Sequence, residues 1–198
     1  MGDDMANDAN TLLIMGSVRA GRQCPAVAAW VAQIGLAETG VSAELIDLRQ
    51  WLLPMEDEPA IPATGHYLHA HTHAWHDRVA AAGAIVIVTP QYNWGYPAAL
   101  KNAIDHLYDE WRDKPAMLVT YGGHGGTKCA EQLRQVASAV KLQLVPTSPA
   151  LVLPQPVIRE GATVNPARDF ESQRAIVAQA WRELRGLVAV AQSSAETP

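Results

Sequence analysis

The chain has 198 residues, of which 48% are hydrophobic and 18% charged, and its net charge is -5. That length fits one domain able to bury its own core. The acidic balance argues against a nucleic-acid partner, which needs a basic field. No apolar run approaches the roughly 18 residues of a membrane span. Met1 to Asn10 is polar and acidic, reads as a disordered tail, and lacks the basic-then-apolar start of a secretion signal. Cys24 and Cys129 are the only cysteines, too few for a disulfide framework, so a reducing cytoplasm is expected.

Short apolar runs alternate with longer helical patterns. Thr11–Met15 is the first predicted strand and stops at Gly16. Val27, Trp30, Val31 and Ile34 then share one helical face. Ala43–Leu48 is a second strand. The connection Arg49–Gly65 follows, and its Glu56-Asp57-Glu58-Pro59 run reads as a solvated loop. Ala70–Ala82 is a weaker helix carrying a run of histidines. Ala84–Val88 is an unbroken apolar strand ending at Thr89-Pro90. Leu100, Ala103, Ile104, Leu107, Tyr108 and Trp111 predict one helix, with Pro97 in its first turn. Ala116–Thr120 is a fourth strand, and Leu133, Val136, Ala137 and Val140 mark a helix after it. Leu151–Leu153 is a fifth strand. A second Pro-rich connection, Pro154–Pro166, leads to a helix marked by Val177, Ala180, Trp181, Leu184, Leu187 and Val188. Connections of this length are usually lids or interface arms.

Strands apolar on every residue suit a sheet covered on both faces. The alternation predicts βαβ units in an α/β, doubly wound, five-stranded parallel sheet of order 2-1-3-4-5, with helices on both faces. The folded domain is expected over residues 11–190, with 191–198 as a disordered tail.

In such sheets ligands bind beyond the carboxyl ends of the strands. Three loops lie there. Gly16-Ser17-Val18-Arg19-Ala20-Gly21-Arg22-Gln23-Cys24 has the makings of an anion cradle: mobile glycines, a hydroxyl, two forked guanidinium groups and a helix N-terminus. It is equally a glycine turn with two solvated arginines. Cys24 is placed either for a lowered thiol pKa or simply for packing. The G-x-x-x-x-G-K-[ST] and G-x-G-x-x-G patterns are absent, which points to a monophosphate. In Pro90-Gln91-Tyr92-Asn93-Trp94-Gly95-Tyr96-Pro97 the aromatics either flank a flat heterocycle or pack under a neighbouring subunit. Tyr121-Gly122-Gly123-His124-Gly125-Gly126 spends four glycines on a backbone that must come close to something.

These motifs, in this order, resemble the NADPH-dependent FMN reductases of the flavodoxin-like fold, whose relatives include quinone, chromate and azo-dye reductases. The similarity runs from about Leu12 to Leu153. Gly16 to Arg22 resembles the family's phosphate loop. Thr89 to Asn93 with Gly95 to Asp105 resembles its most specific signature, with Gln91 where the family usually has glutamate. Tyr121-Gly122-Gly123 resembles the loop at the flavin's pyrimidine edge. The resemblance implies that Ser17 and Arg19 hold the FMN phosphate, aided by Gly16, Arg22, Gln23 and Cys24. It places Pro90, Gln91, Tyr92, Asn93 and Trp94 along the ribityl chain and ring, and Tyr121, Gly122, Gly123 and His124 at the pyrimidine end.

The implied activity is hydride transfer from NADPH or NADH to FMN, then to a quinone-like or other small acceptor in a ping-pong cycle, with the flavin rather than a protein acid or base carrying the chemistry. The alternative is a flavodoxin-type electron carrier, disfavoured by the lack of acidic residues in the second and third loops. A homodimer or tetramer is implied, with the Leu100–Trp111 face as the seam. His69, His73 and His76 would share a helical face, yet without a nearby cysteine a surface or interface helix is expected and no metal. Trp30, Trp75, Trp111 and Trp181 are assigned to the core or the dimer contact.

Overall fold

The computed structural model describes residues 10–195; the expected N-terminal tail otherwise lies outside the described residues. Asn10 itself is tied down, because its carbonyl accepts from the Gly83 amide at 2.9 Å. Five strand positions run parallel in the order β2-β1-β3-β4-β5, with β1 at Thr11–Met15, β2 at Ala43–Asp47, β3 at Ala84–Pro90, β4 at Pro115–Gly122 and β5 at Gln143–Leu144.

This is the expected order, and a sixth strand is added to it. Beside β4 the outer position is filled twice: β5 pairs with Pro115 and Ala116, and β6, Ala150–Val152, pairs with Thr120 to Gly122. Between them stand Pro146 and Pro149, which have no N–H to continue a ladder.

Alternate residues of each strand point to opposite faces. Leu13, Met15, Val86, Val88, Met117 and Val119 build the core under α1 (Cys24–Thr39) and the long C-terminal helix. Leu12, Ile14, Ile85, Ile87 and Leu118 build the other core, under α2 (Ala70–Ala80), α3 (Ala98–Asp105) and α4 (Thr127–Ala139). Two short helices follow, α5 at Gln155–Arg159 and α6 at Pro166–Asp169, before α7 at Arg174–Ala195. Helix α7 thus runs through residues expected to begin the C-terminal tail.

The four helical tryptophans are core residues. The Trp75 indole donates to the Ala103 carbonyl at 2.7 Å, Trp111 to Ile104 at 3.0 Å and Trp181 to Val31 at 2.9 Å. Trp30 packs on Phe170 with ring centroids 5.6 Å apart. Trp181 also lies against Gly35, where a Cβ would come within 2.5 Å of the indole. Helices α1 and α7 therefore approach as closely as their backbones allow.

The helix predicted over Leu100–Trp111 is two pieces. Helix α3 ends at Asp105, and a single 3₁₀ turn resumes at Asp109–Trp111. Pro97 sits at the N-cap, just outside the helix. Leu100, Ile104, Leu107 and Trp111 are all buried against the sheet of the same chain. That face is spent on the core and is not an available dimer seam, which corrects the expectation.

Candidate active site

The parallel register brings the carboxyl ends of β1, β3 and β4 to one edge. There the three expected loops meet around a cleft of about 290 Å³. Its wall takes Arg19, Gly21, Arg22 and Gln23 from the first loop, Pro90, Gln91 and Tyr92 from the second, and Tyr121, Gly122 and Gly123 from the third. None of its lining residues is acidic.

The first loop turns back at Gly21, whose φ of 67° is left-handed. It then enters α1, whose N-cap Gln23 makes no side-chain cap and whose first turn carries no acidic residue. The N-terminal amides of that helix are left as an uncapped positive end. Arg22 lies beside it, its side chain 9% exposed and paired with Asp47. Its Nε and Nη1 are buried without any hydrogen-bond partner. Buried donors of this kind are costly unless something accepts from them. Arg19 lies over the Tyr92 ring, 3.8 Å from its centroid.

Other expected residues support the cradle from below. Ser17 is fully buried, and its hydroxyl meets the Tyr92 hydroxyl at 2.8 Å. A Cβ on Gly16 would fall 2.8 Å from Thr89 Oγ1, so this glycine lets β1 and β3 end side by side. The Gln23 side chain reaches across the cleft, donating to the Ala162 carbonyl at 3.3 Å and accepting from the Val164 amide at 3.1 Å. The Cys24 thiol donates to the Val88 carbonyl at 3.4 Å, and burial pushes its pKa up, so it has the character of a packing residue.

The second loop is a tight turn. Tyr92 and Gly95 exchange backbone hydrogen bonds of 2.8 and 3.0 Å. Between them Asn93 (φ 49°) and Trp94 (φ 71°) both take left-handed conformations. This lifts Trp94 to the tip, 68% exposed, while Tyr96 packs against the core. The Gln91 side-chain Oε1 accepts from the Cys129 amide at 3.1 Å, capping the start of α4. Gln91 thereby joins the second loop to the helix that follows the third.

In the third loop the Gly125 amide bonds back to the Gly122 carbonyl at 3.1 Å. Gly125 (φ 72°) would place a Cβ 2.7 Å from the Ala150 carbonyl oxygen. The glycines are therefore required twice, by handedness and by the close passage of β6. Gly122 and Gly123 face the cleft; Asn93, Trp94 and His124 are exposed at its rim and do not line it.

Leu153, Val157 and Ile158 close the remaining wall and were not anticipated. Leu153 was expected only as the end of a strand, and Val157 and Ile158 belong to the second Pro-rich connection, whose length was the only signal. The histidines at 69, 73 and 76 do not gather: His69 turns to the Asp57 carbonyl, His73 lies edge-on to Tyr67, and His76 sits between Asp77 and Glu110.

The arrangement fits a flat, singly phosphorylated ligand. Orphaned guanidinium donors and an uncapped helix start stand at one end, and glycine backbone at the other. A profile of the NADPH-dependent FMN reductase family matches residues 9–153. An NAD(P)H-dependent FMN reductase of Schizosaccharomyces pombe is 49% identical over 178 residues, covering 89% of this chain and 88% of that protein. A quinone reductase of Escherichia coli K12 is 31% identical over 140 residues, 67% of this chain and 71% of that protein. The solved flavoenzyme NAD(P)H:(acceptor) oxidoreductase of Paracoccus denitrificans superposes with a TM-score of 0.66 at 17% identity, covering 90% of this chain and 98% of that one, and shares its fold. Family profile and relatives agree: the chain belongs to the NADPH-dependent FMN reductase family and is an oxidoreductase.

Proposed function

We propose that this protein binds FMN in the cleft between the three loops and uses NAD(P)H to reduce it, passing the electrons to a quinone-like or other small acceptor in a ping-pong cycle. The observation that carries this reading is the pair of partnerless Arg22 donors beside the uncapped start of α1. FMN, when bound, supplies the hydride-accepting and electron-donating chemistry.

The residues have distinct tasks. Arg22, the loop from Ser17 to Gln23 and the first amides of α1 would hold the phosphate. Arg19 is stacked on Tyr92 and so is placed to move onto the same anion. Tyr92 and Trp94 would flank the ring system. The Gly122 and Gly123 backbone would meet the polar pyrimidine edge, where fixed amide dipoles stabilise negative charge. No general acid or base is assigned to the protein.

An open rim lets donor and acceptor take turns at one face. Oligomerisation through the exposed apolar side chains of the first long connection, Leu52, Met55 and Ile61, and of Leu68 just after it, fits a homodimer. The two free, buried cysteines fit a reducing cytoplasm.

The test is anaerobic mixing of the FMN-loaded protein with NADPH, then with NADH, followed by a panel of quinones. Bleaching of the flavin within seconds and its recovery on adding quinone support the reading. A flavin that stays oxidised for minutes with both donors overturns it and leaves the carrier alternative.

A further inference from the structure

Asp57, His71 and His106 come from three separate stretches of chain and converge away from the flavin cleft. Asp57 lies in the first long connection, His71 in the first turn of α2, and His106 just past the end of α3. His71 Nε2 is 3.0 Å from Asp57 Oδ2, and His106 Nε2 is 3.7 Å from Asp57 Oδ1. One donor atom from each of the three lies within 4.8 Å of the other two. Ligands at about 2.0–2.1 Å around a tetrahedral zinc ion stand about 3.3 Å apart, so small adjustments bring these atoms onto one ion.

His106 is the informative member. It is 5% exposed, and its Nε2 is buried with no hydrogen-bond partner. Its Nδ1 lies 2.8 Å from the Asn102 carbonyl oxygen. A carbonyl only accepts, so Nδ1 carries a hydrogen, and Nε2 is the ring atom turned towards the Asp57 carboxylate. A buried, partnerless ring nitrogen beside a partly exposed carboxylate is an arrangement that a metal cation between them would satisfy.

A supporting shell is already built. His69 Nε2 donates to the Asp57 carbonyl at 3.0 Å, which fixes the backbone of the carboxylate. The neighbouring Glu58 accepts from the Leu68 and His69 amides at 2.8 and 3.0 Å, fixing the entry to α2. Asn102, besides orienting His106, donates from Nδ2 to the Leu53 and Pro54 carbonyls at 3.0 and 3.1 Å. Such partners are what orient metal-ligating side chains. A cleft of about 240 Å³, lined by Asp57, Asn102, Asp105 and His106 among others, gives an ion and a water access to the group.

We propose that Asp57, His71 and His106 form a binding site for a divalent transition cation of the zinc class, with a fourth position open to water. Two imidazoles and one carboxylate suit zinc better than magnesium or calcium, which prefer all-oxygen shells. The ion would staple the first long connection to the ends of α2 and α3. Because the three ligands meet only in the folded chain, its binding stabilises the fold.

The test uses the full-length protein, stripped with a chelator and titrated with zinc alone by calorimetry. The expected result is one equivalent of saturable binding, a rise in Tm, and, with cobalt in place of zinc, the intense visible bands of a tetrahedral centre. Asp57→Asn and His71→Gln should each weaken binding by roughly tenfold or more and remove the Tm rise. Neither reaches the buried interior as His106→Ala would, so both variants are expected to fold. His73→Gln, two residues along the same helix, should bind as the wild type does. Absence of saturable binding, equal binding by the Asp57 and His71 variants, or loss of binding in His73→Gln each overturns the proposal.

Discussion

Arg22 and Asp47 form an ion pair that joins the phosphate-type loop to the end of β2. The pair holds one guanidinium nitrogen and leaves Nε and Nη1 presented but unbonded. A carboxylate that anchors an arginine without consuming it is a means of fixing a donor in place before any anion arrives.

Arg22→Ala should weaken FMN binding by about 1.5–3 kcal/mol, roughly ten- to hundredfold in Kd. Riboflavin, which lacks the phosphate, should bind both proteins alike. Asp47→Asn should act in the same direction with a smaller effect, since the guanidinium persists but loses its anchor. Flavin fluorescence titration measures all three.

Trp94→Gly should separate stability from activity. A tryptophan at φ 71° occupies a conformation that glycine adopts freely. The substitution should raise stability by about 0.5–1 kcal/mol in chemical denaturation. It should also lower kcat/KM for NAD(P)H oxidation, because the exposed indole at the cleft rim is lost. A variant that is both less stable and fully active would contradict this account.

Neither cysteine should behave as a reactive thiol. Burial pushes Cys24 up, and it pushes Cys129 up to about 12. At pH 8 the native protein should release no colour from Ellman's reagent over minutes, and the denatured chain should release two equivalents.

Glu183 gives a pH dependence of defined sign. Burial pushes its pKa up, but the Thr147 hydroxyl and amide, at 2.7 and 2.9 Å, and the Gln179 amide hold it below its ordinary 4.5. A depressed carboxylate stabilises the fold above its unfolded pKa, and that contribution fades as pH falls through the folded value. Glu183→Gln should therefore cost about 1 kcal/mol at pH 7, and its Tm should converge on that of the wild type below pH 4.5. Thermal melts at pH 7, 5 and 3.5 check it.

Much of the molecule was legible because its signals are local. The apolar run Ala84–Val88 could only be a strand covered on both faces, and β3 is the central strand of the sheet. The glycines of the third loop announced a close backbone approach, and Gly125 passes against Ala150. What escaped the sequence is what depends on long-range contact. β5 has two residues and takes its identity only from Pro115 and Ala116 beside it. Leu107 and Trp111 keep a helical rhythm because the 3₁₀ turn returns Trp111 to the same face after the break at His106. Leu153, Val157 and Ile158 carry no ligand-binding chemistry, so only the folded chain shows them at the cleft. His106 gave no signal for the same reason: Asp57 and His71 lie in other elements, whereas the face expected on one helix joined His69, His73 and His76.

The packing of α1 on α7 sets a condition on how this protein is made. The bond from the Trp181 indole to the Val31 carbonyl spans 150 residues. During synthesis the first helix emerges early, and the surface that will receive that indole stays bare while almost everything else is translated. The nascent chain thus carries an uncovered apolar stripe until its closing helix leaves the ribosome, and fragments that stop before Trp181 should need a chaperone to stay dispersed.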